Sequence, residues 1–245
     1  MKPTKIPFRQ KIIDANEIIE NVLNKTKNPV VAFSGGKDSS VILELVRKVN
    51  PDVPAMFCNT GVEAKETLEY CKTIENLTEV RPENISFWDC VCKYGYPDFK
   101  GKKGHHDGNK CCVHLKEKPA KKYCKENKTD LIFLGLTMSE SHNRAMLLTS
   151  RGHTQYVKTW GLWKCYPIWN WTEKDVWNYI QIEGIPYNAG YDTGWKRCGC
   201  MPCTAHKNWQ QRLGKENPKL LKFILKQRYG QRQCGDYFTF EGGIS

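Results

Sequence analysis

The apolar positions of this chain fall first on a helical period. Between residues 10 and 24, Ile12, Ala15, Ile19, Val22 and Leu23 share one helical face. Pro29-Val30-Val31-Ala32-Phe33 then forms a short continuous apolar run, the pattern of a strand covered on both sides. A helix is predicted from about Asp38 to Val49, with Val41, Leu45 and Val49 on one stripe, then a strand at Ala55-Met56-Phe57-Cys58 and a helix from Glu63 to Ile74. Past a Gly/Lys/His-rich loop that runs to Lys110, the spacing predicts a helix over 113–126, which Pro119 must start or kink. Leu131-Ile132-Phe133-Leu134 is another buried strand, followed by a helix from near Ser139. Strands alternating with helices predict an α/β fold, a mostly parallel sheet with helices on both faces.

The rest of the chain has a different texture. Residues 152–171 are aromatic and broken by Gly161 and Pro167. Thr172-x-x-Asp175 has the form of a helix-opening box ahead of Val176, Ile180 and Ile182. Residues 185–204 are loop-like and rich in Gly, Pro and Cys, and a last helix is predicted from Pro218 to Tyr229, with proline at a first helical position. No internal repeat or low-complexity linker divides the chain, so residues 1–204 are expected as one α/β domain and 205–245 as a C-terminal helix and mobile tail.

Composition narrows the setting. The 245 residues are 40% hydrophobic and 26% charged, enough apolar content to bury one substantial core. No stretch approaches the roughly 18 apolar residues of a membrane span. The start, MKPTKIPFRQ, lacks the apolar region of a signal peptide, so a cytoplasmic location without a membrane partner is expected. In that reducing setting twelve cysteines point to metal binding or thiol chemistry rather than to disulfides. A net charge of +12 favours an anionic partner, a condition that nucleic acid and a phosphorylated nucleotide both satisfy. Much of the excess lies between Lys93 and Lys128, where a solvated face accounts for it equally well.

The strongest local signal is Ser34-Gly35-Gly36-Lys37-Asp38-Ser39, set between the first strand and its helix. Adjacent glycines let the backbone turn so that successive N–H groups face one concavity, and the following helix adds its positive end. An anion is the expected occupant. The paired glycines and the Lys-Asp order depart from G-x-x-x-x-G-K-[ST], which disfavours a kinase or simple NTPase. In an open parallel sheet such a turn lies at the carboxyl edge of the strands, where ligands bind. The motif resembles that of the PP-loop, or adenine nucleotide alpha hydrolase-like, proteins. That resemblance implies that Ser34, Gly35, Gly36, Lys37, Asp38 and Ser39 bind the phosphates of an adenine nucleotide.

Cys111-Cys112 is a tandem pair, and Cys200-Met201-Pro202-Cys203 is a C-x-x-C. A C-x-x-C brings two sulfurs to one side of a tight turn. Adjacent cysteines diverge and suit different irons of a cluster better than one tetrahedral zinc, so the pattern favours a 4Fe-4S cluster, although soft thiolates suit both metals. Cys198 stands outside this set and is expected to be a buried thiol.

The tandem pair followed by C-x-x-C resembles the cluster-binding set of the iron-sulfur adenylyl sulfate and phosphoadenylyl sulfate reductases. Lys116, four residues after Cys112, matches the lysine that lies between cluster and substrate in that family. Asn59-Thr60-Gly61, Tyr166-Pro167-Ile168, Trp171-Thr172-Glu173-Lys174-Asp175-Val176-Trp177 and Gly184-Ile185-Pro186-Tyr187-Asn188 are similar to family segments, as is Gly199-Cys200-Met201-Pro202-Cys203-Thr204. The likeness runs in order from about residue 29 to 204. It implies Thr60, Gly61 and Arg144 as further substrate-binding residues, and Cys111, Cys112, Cys200 and Cys203 as ligands of a cluster that is not the electron source. With Lys116, the cluster would bias the field at the sulfate. Cys234-Gly235 occupies the place of the family's tail nucleophile, which attacks the sulfate sulfur and leaves a cysteine S-sulfonate. A dithiol such as thioredoxin then releases sulfite. A homodimer is common among similar proteins.

The chain also departs from the family pattern. Gln233, Asp236 and Tyr237 surround the Cys-Gly pair where Glu and His are usual, and His206-Lys207-Asn208-Trp209 replaces an arginine-rich stretch. In G-x-R-x-x-x-S-x-x-R, Thr137 takes the first arginine position while Arg144 remains. The basic balance leans towards phosphoadenylyl sulfate over adenylyl sulfate. Two other readings stand beside the reductase: a PP-loop sulfurtransferase that modifies DNA or tRNA with ATP, using the basic 93–128 segment for the nucleic-acid backbone, and a zinc-stabilised nucleic-acid module built on Cys200 and Cys203.

Overall fold

The apolar run at residues 29–33 forms a strand, β1 (Pro29–Phe33), with Val30, Val31 and Phe33 buried, as its lack of polar alternation predicts. It lies at the centre of the sheet in a computed structural model that describes residues 6–98 and 109–229. On one side β1 pairs in parallel with β2 (Ala55–Cys58), Val31 facing Ala55 and Phe33 facing Phe57. On the other it pairs in parallel with β4 (Leu131–Phe133), all three of whose residues are buried. β6 (Leu162–Cys165) continues the parallel pairing beyond β4. β5 (Thr154–Val157) runs antiparallel to β6, and with β3 (Leu77–Val80) the six strands take the order β3-β2-β1-β4-β6-β5.

The helices in chain order are α1 (Phe8–Leu23), α2 (Lys37–Val49), α3 (Lys65–Lys72), α4 (Phe87–Tyr94), the three-residue α5 (Lys110–Cys112), α6 (Lys118–Glu126), α7 (His142–Arg151), α8 (Glu173–Glu183), α9 (Trp209–Glu216) and α10 (Pro218–Tyr229). The α/β architecture is the predicted one, with differences in detail. The stretch 152–171, expected as broken aromatic chain, contains the β5–β6 pair, turned by Trp160 and Gly161, whose amides return to the Val157 carbonyl. A π-helical turn at Val113–Glu117 joins α5 to α6, and Pro119 falls in the first turn of α6. Among the described residues no helix is long and apolar enough to cross a membrane.

Two compact units make up the fold. The first takes the chain through Phe57 together with Glu69–Thr78 and Lys122–Cys198; the second takes Cys58–Leu68, Glu79–Lys121 and the chain from Gly199 onward. In the second, Val62, Phe87, Cys90, Val91 and Leu115 form a buried cluster against which Trp88, Cys111 and Cys200 pack. α4 begins with a reciprocal cap: Ser86 Oγ accepts from the Asp89 amide, while the Asp89 carboxylate accepts from the Ser86 amide.

In the first unit, α1 buries a lysine. Lys11, not Ile12, joins Ala15 and Ile19 on its covered face. Lys11 Nζ donates to Asp175 Oδ2 at 2.6 Å, and the two side chains are only 8% and 14% exposed, so their charges compensate each other away from water. Asp175 also closes the predicted capping box of α8, accepting from the Thr172 amide at 2.7 Å. Burial by itself would raise the Asp175 carboxyl, but Lys11 and Thr172 outweigh it and hold it below the usual carboxylate range. A carboxylate depressed by folding contributes its full stability above its unfolded pKa, near ~3.9, and loses it as pH falls through the folded value. Asp175→Asn is therefore expected to cost about 2 kcal/mol at neutral pH, measured by urea unfolding. The difference from the parent should shrink below about pH 4. A pH-independent difference would show that the charge is not what stabilises.

Candidate functional site

The Ser34–Ser39 turn, the expected phosphate site, belongs to the first unit. It follows the carboxyl end of β1, and its backbone turns through Gly35 at φ 72°, a left-handed conformation that a side chain would strain. Serines lock it. Ser39 Oγ donates to the Gly36 carbonyl at 2.7 Å and lies 3.1 Å from Ser34 Oγ, and Ser40 Oγ reaches the same carbonyl at 3.2 Å. Ser40 in turn meets the Tyr70 hydroxyl at 2.9 Å, fixing the first turn of α2 against the residues around α3. Lys37 is buried and pairs with Asp38 at 3.0 Å. The loop after β4 comes against the same turn at Gly135, where an added Cβ would lie 2.8 Å from the Asp38 carbonyl carbon and oxygen. Glycine is required there because the obstacle is backbone.

The segment 188–198, part of the stretch read from the sequence as loop-like, packs on this turn. Asn188 Nδ2 and Cys198 Sγ both donate to the Gly35 carbonyl, at 3.4 and 3.3 Å, and the Lys37 amide donates to the Tyr191 hydroxyl at 3.1 Å. Burial first, then the charge of Cys198, pushes the Tyr191 phenol well above its usual range. Cys198, expected as a buried thiol, is half-buried and packs on the phosphate turn. Arg144, on α7, pairs with Glu140. Its guanidinium is lowered from the ordinary arginine value by burial and by Arg197, while Asp38 acts in the opposite direction.

The four motif cysteines belong to the second unit. Cys203 and Cys200 close a tight turn through a 3.1 Å amide-to-carbonyl bond, and the Met201 amide donates to the Val62 carbonyl at 2.8 Å. Thr60 Oγ1 donates to Glu63 at 2.7 Å and lies 3.4 Å from Cys200 Sγ, so the Asn59-Thr60-Gly61 segment supports the C-x-x-C turn. Arg212 on α9 donates to the Met201 carbonyl at 2.7 Å and the Cys203 carbonyl at 3.2 Å, and pairs with Glu216. No spacing rule pointed to Arg212, because its partners are carbonyls.

The four thiols share one electrostatic neighbourhood. Cys111 is raised above the usual thiol range by its bond to Cys112 and by burial, with Cys112, Cys203 and Cys200 adding to the shift. Burial pushes Cys200 up to about 11, against the pull of Lys116, and burial raises Cys203. Burial would lower Lys116, but Cys200, Glu63, Cys112 and Cys58 override it and hold its ammonium above the ordinary lysine value. Cys58 Sγ also lies 3.5 Å from the Lys116 carbonyl. None of the described cysteines is in a disulfide. Among the described residues no group of three or more His, Cys, Asp or Glu closes on a single metal ion. The donor chemistry, four soft sulfurs with a lysine beside them, fits an iron-sulfur cluster. Cys234 lies outside the described residues.

A mostly parallel α/β sheet with a Gly-Gly turn at the carboxyl end of its central strand defines an open α/β class of protein, in which ligands bind at that edge. The family model described as the phosphoadenosine phosphosulfate reductase domain matches residues 28–206, and the chain belongs to that family. It is 37% identical over 210 residues to an uncharacterized protein of Methanocaldococcus jannaschii, covering 82% of this chain but 42% of that relative, so it spans less than half of the relative's length. Adenosine 5'-phosphosulfate reductase 2 of Bacillus subtilis is 32% identical over 184 residues, covering 71% of this chain and 72% of that enzyme. Among solved structures, phosphoadenylyl-sulfate reductase of Candida auris superposes with a TM-score of 0.60 at 19% identity, covering 83% of this chain and 98% of that one, a likeness of fold.

Proposed function

We propose that this chain reduces an adenylyl sulfate, with or without a 3'-phosphate, to sulfite and the corresponding nucleotide. The reading is supported above all by the shared neighbourhood of Cys111, Cys112, Cys200, Cys203 and Lys116 in a chain of this family. The amides of the Ser34–Ser39 turn and the positive end of α2 bind phosphate, and Thr60, Gly61 and Arg144 complete the substrate-binding set. Cys234, outside the described residues, is the nucleophile of this reading. Its thiolate attacks the sulfate sulfur; the bond from sulfur to the phosphate-bridging oxygen breaks, and the nucleotide leaves with that oxygen and its electron pair. A dithiol such as thioredoxin then attacks Cys234 Sγ, expelling sulfite and forming a mixed disulfide. Its second thiol resolves that disulfide, so two electrons pass from the dithiol to sulfur. The four cysteines would hold a 4Fe-4S cluster, whose chemistry when bound is electrostatic rather than redox. Lys116 keeps its proton beside those sulfurs and supplies a fixed positive charge among them.

An anaerobic assay of both sulfate nucleotides with reduced thioredoxin, run beside ATP plus tRNA or DNA, tests the reading. Sulfite from either sulfate nucleotide is the expected result. AMP formation from ATP that depends on nucleic acid, without sulfite, would overturn the reductase in favour of a sulfurtransferase. The same assay fixes which sulfate nucleotide is preferred.

A further inference from the structure

We infer that Arg197 is a specificity-determining residue that, together with Arg144, clamps the outer anionic group of the nucleotide; the inference rests on the sulfonucleotide reading above. Two independent contacts bring the segments that carry these arginines against the Ser34–Ser39 turn. Arg144 sits on α7, and the loop leading into α7 abuts α2 at Gly135, too close to the Asp38 backbone to admit a side chain. Arg197 directly precedes Cys198, whose Sγ donates to the Gly35 carbonyl and whose Cβ lies 3.6 Å from where a Cβ on Gly36 would stand. The chain therefore brings one arginine-bearing segment to each flank of a single Gly-Gly turn.

The local charges leave work for a ligand. Lys37 already takes Asp38 at 3.0 Å, and Glu140 takes part of Arg144. A guanidinium has five donors in a planar fork, so one carboxylate does not exhaust it. Arg197 is exposed, and after burial, the larger cause, its charge is the second influence that lowers the Arg144 guanidinium. Two like charges converging on an anion-binding turn repel each other unless an anion joins them, and bidentate guanidinium contacts suit the oxygens of phosphate and sulfate. Thr137 cannot fill this role: it is 1% exposed, and its amide donates to the Glu140 carboxylate in a capping box. A sequence search for an arginine at that position finds threonine. The second guanidinium comes instead from a loop about sixty residues later in the chain.

Calorimetric titration of iron-loaded protein with adenosine 5'-phosphosulfate and with AMP, under anaerobic conditions, tests the assignment. The parent is expected to prefer the sulfonucleotide. Arg197→Ala should weaken the sulfonucleotide about ten- to a hundredfold, with AMP changed less than about threefold and melting temperature and iron content retained. Arg197→Lys should recover part of the loss, a point charge replacing a fork. In the Arg144→Ala/Arg197→Ala double variant the losses should fall short of the product of the single losses, because both residues hold one group. An unchanged preference in Arg197→Ala would overturn the clamp while leaving the reductase reading intact. A parent that shows no preference for the sulfonucleotide over AMP and releases no sulfite would overturn both.

Discussion

Cys200→Ser is expected to strip the protein of iron, to under about a tenth of the parent's content after anaerobic reconstitution, with the broad absorbance near ~400 nm lost. The substitution removes one atom's softness and little volume, so the local packing of Cys200 against Val62, Phe87 and Leu115 should survive. What disappears is a thiolate that Thr60 and the C-x-x-C turn hold in place. A serine hydroxyl is a poor ligand for iron at neutral pH, so a four-sulfur site loses a quarter of its ligation. Cys198→Ser is the control. Cys198 donates to the Gly35 carbonyl of the phosphate turn, and its replacement should leave iron content within about a fifth of the parent. Equal iron loss in both variants would break the assignment of ligands, and no loss in Cys200→Ser would remove Cys200 from the set.

Cys234→Ser is expected to abolish sulfite release, a fall of at least about a thousandfold, with nucleotide affinity and iron content retained. The proposed mechanism places only the bond-making step on this sulfur. In that proposal binding falls to the Ser34–Ser39 turn, and metal retention to four other cysteines. An oxygen nucleophile of much higher pKa is largely protonated at neutral pH and cannot be resolved by a dithiol. Trapping makes the test sharper: the parent, incubated with substrate and no dithiol, should gain the mass of one SO3 group on the peptide containing Cys234, and the serine variant should gain none. Full turnover by Cys234→Ser would end the tail mechanism and direct attention to another thiol.

Much of this arrangement was legible in the amino-acid order, for identifiable reasons. β1, its Gly-Gly turn and α2 could be read because a strand covered on both faces has no polar alternation, and because two adjacent glycines before a helix have few other uses. The β5–β6 pair could not. Tyr156 and Trp163 are about half exposed near the edge of the sheet, so the stretch lacks both the continuous apolar run of a central strand and regular alternation. α4 is eight residues rich in aromatic and cysteine side chains, too short to show a period, although Ser86 and Asp89 mark its start. Lys11 gives no apolar signal in the sequence, and the structure buries it because Asp175 waits 164 positions away. The site divides in the same way. Cysteine spacing announced the thiol cluster, whereas Arg212 grips carbonyls and Arg197 stands away from the expected arginine position, so neither left a local signature.

The hydrogen bond from the Lys37 amide to the Tyr191 hydroxyl bears on how tightly any nucleotide can be held. That amide has a single proton to give. A phosphate oxygen seated against it must evict a phenol from the same donor, so measured affinity there is the difference between two competing acceptors rather than the strength of one. The phenol also stands in for solvent, which spares the turn a hydration shell that an arriving anion would otherwise have to shed.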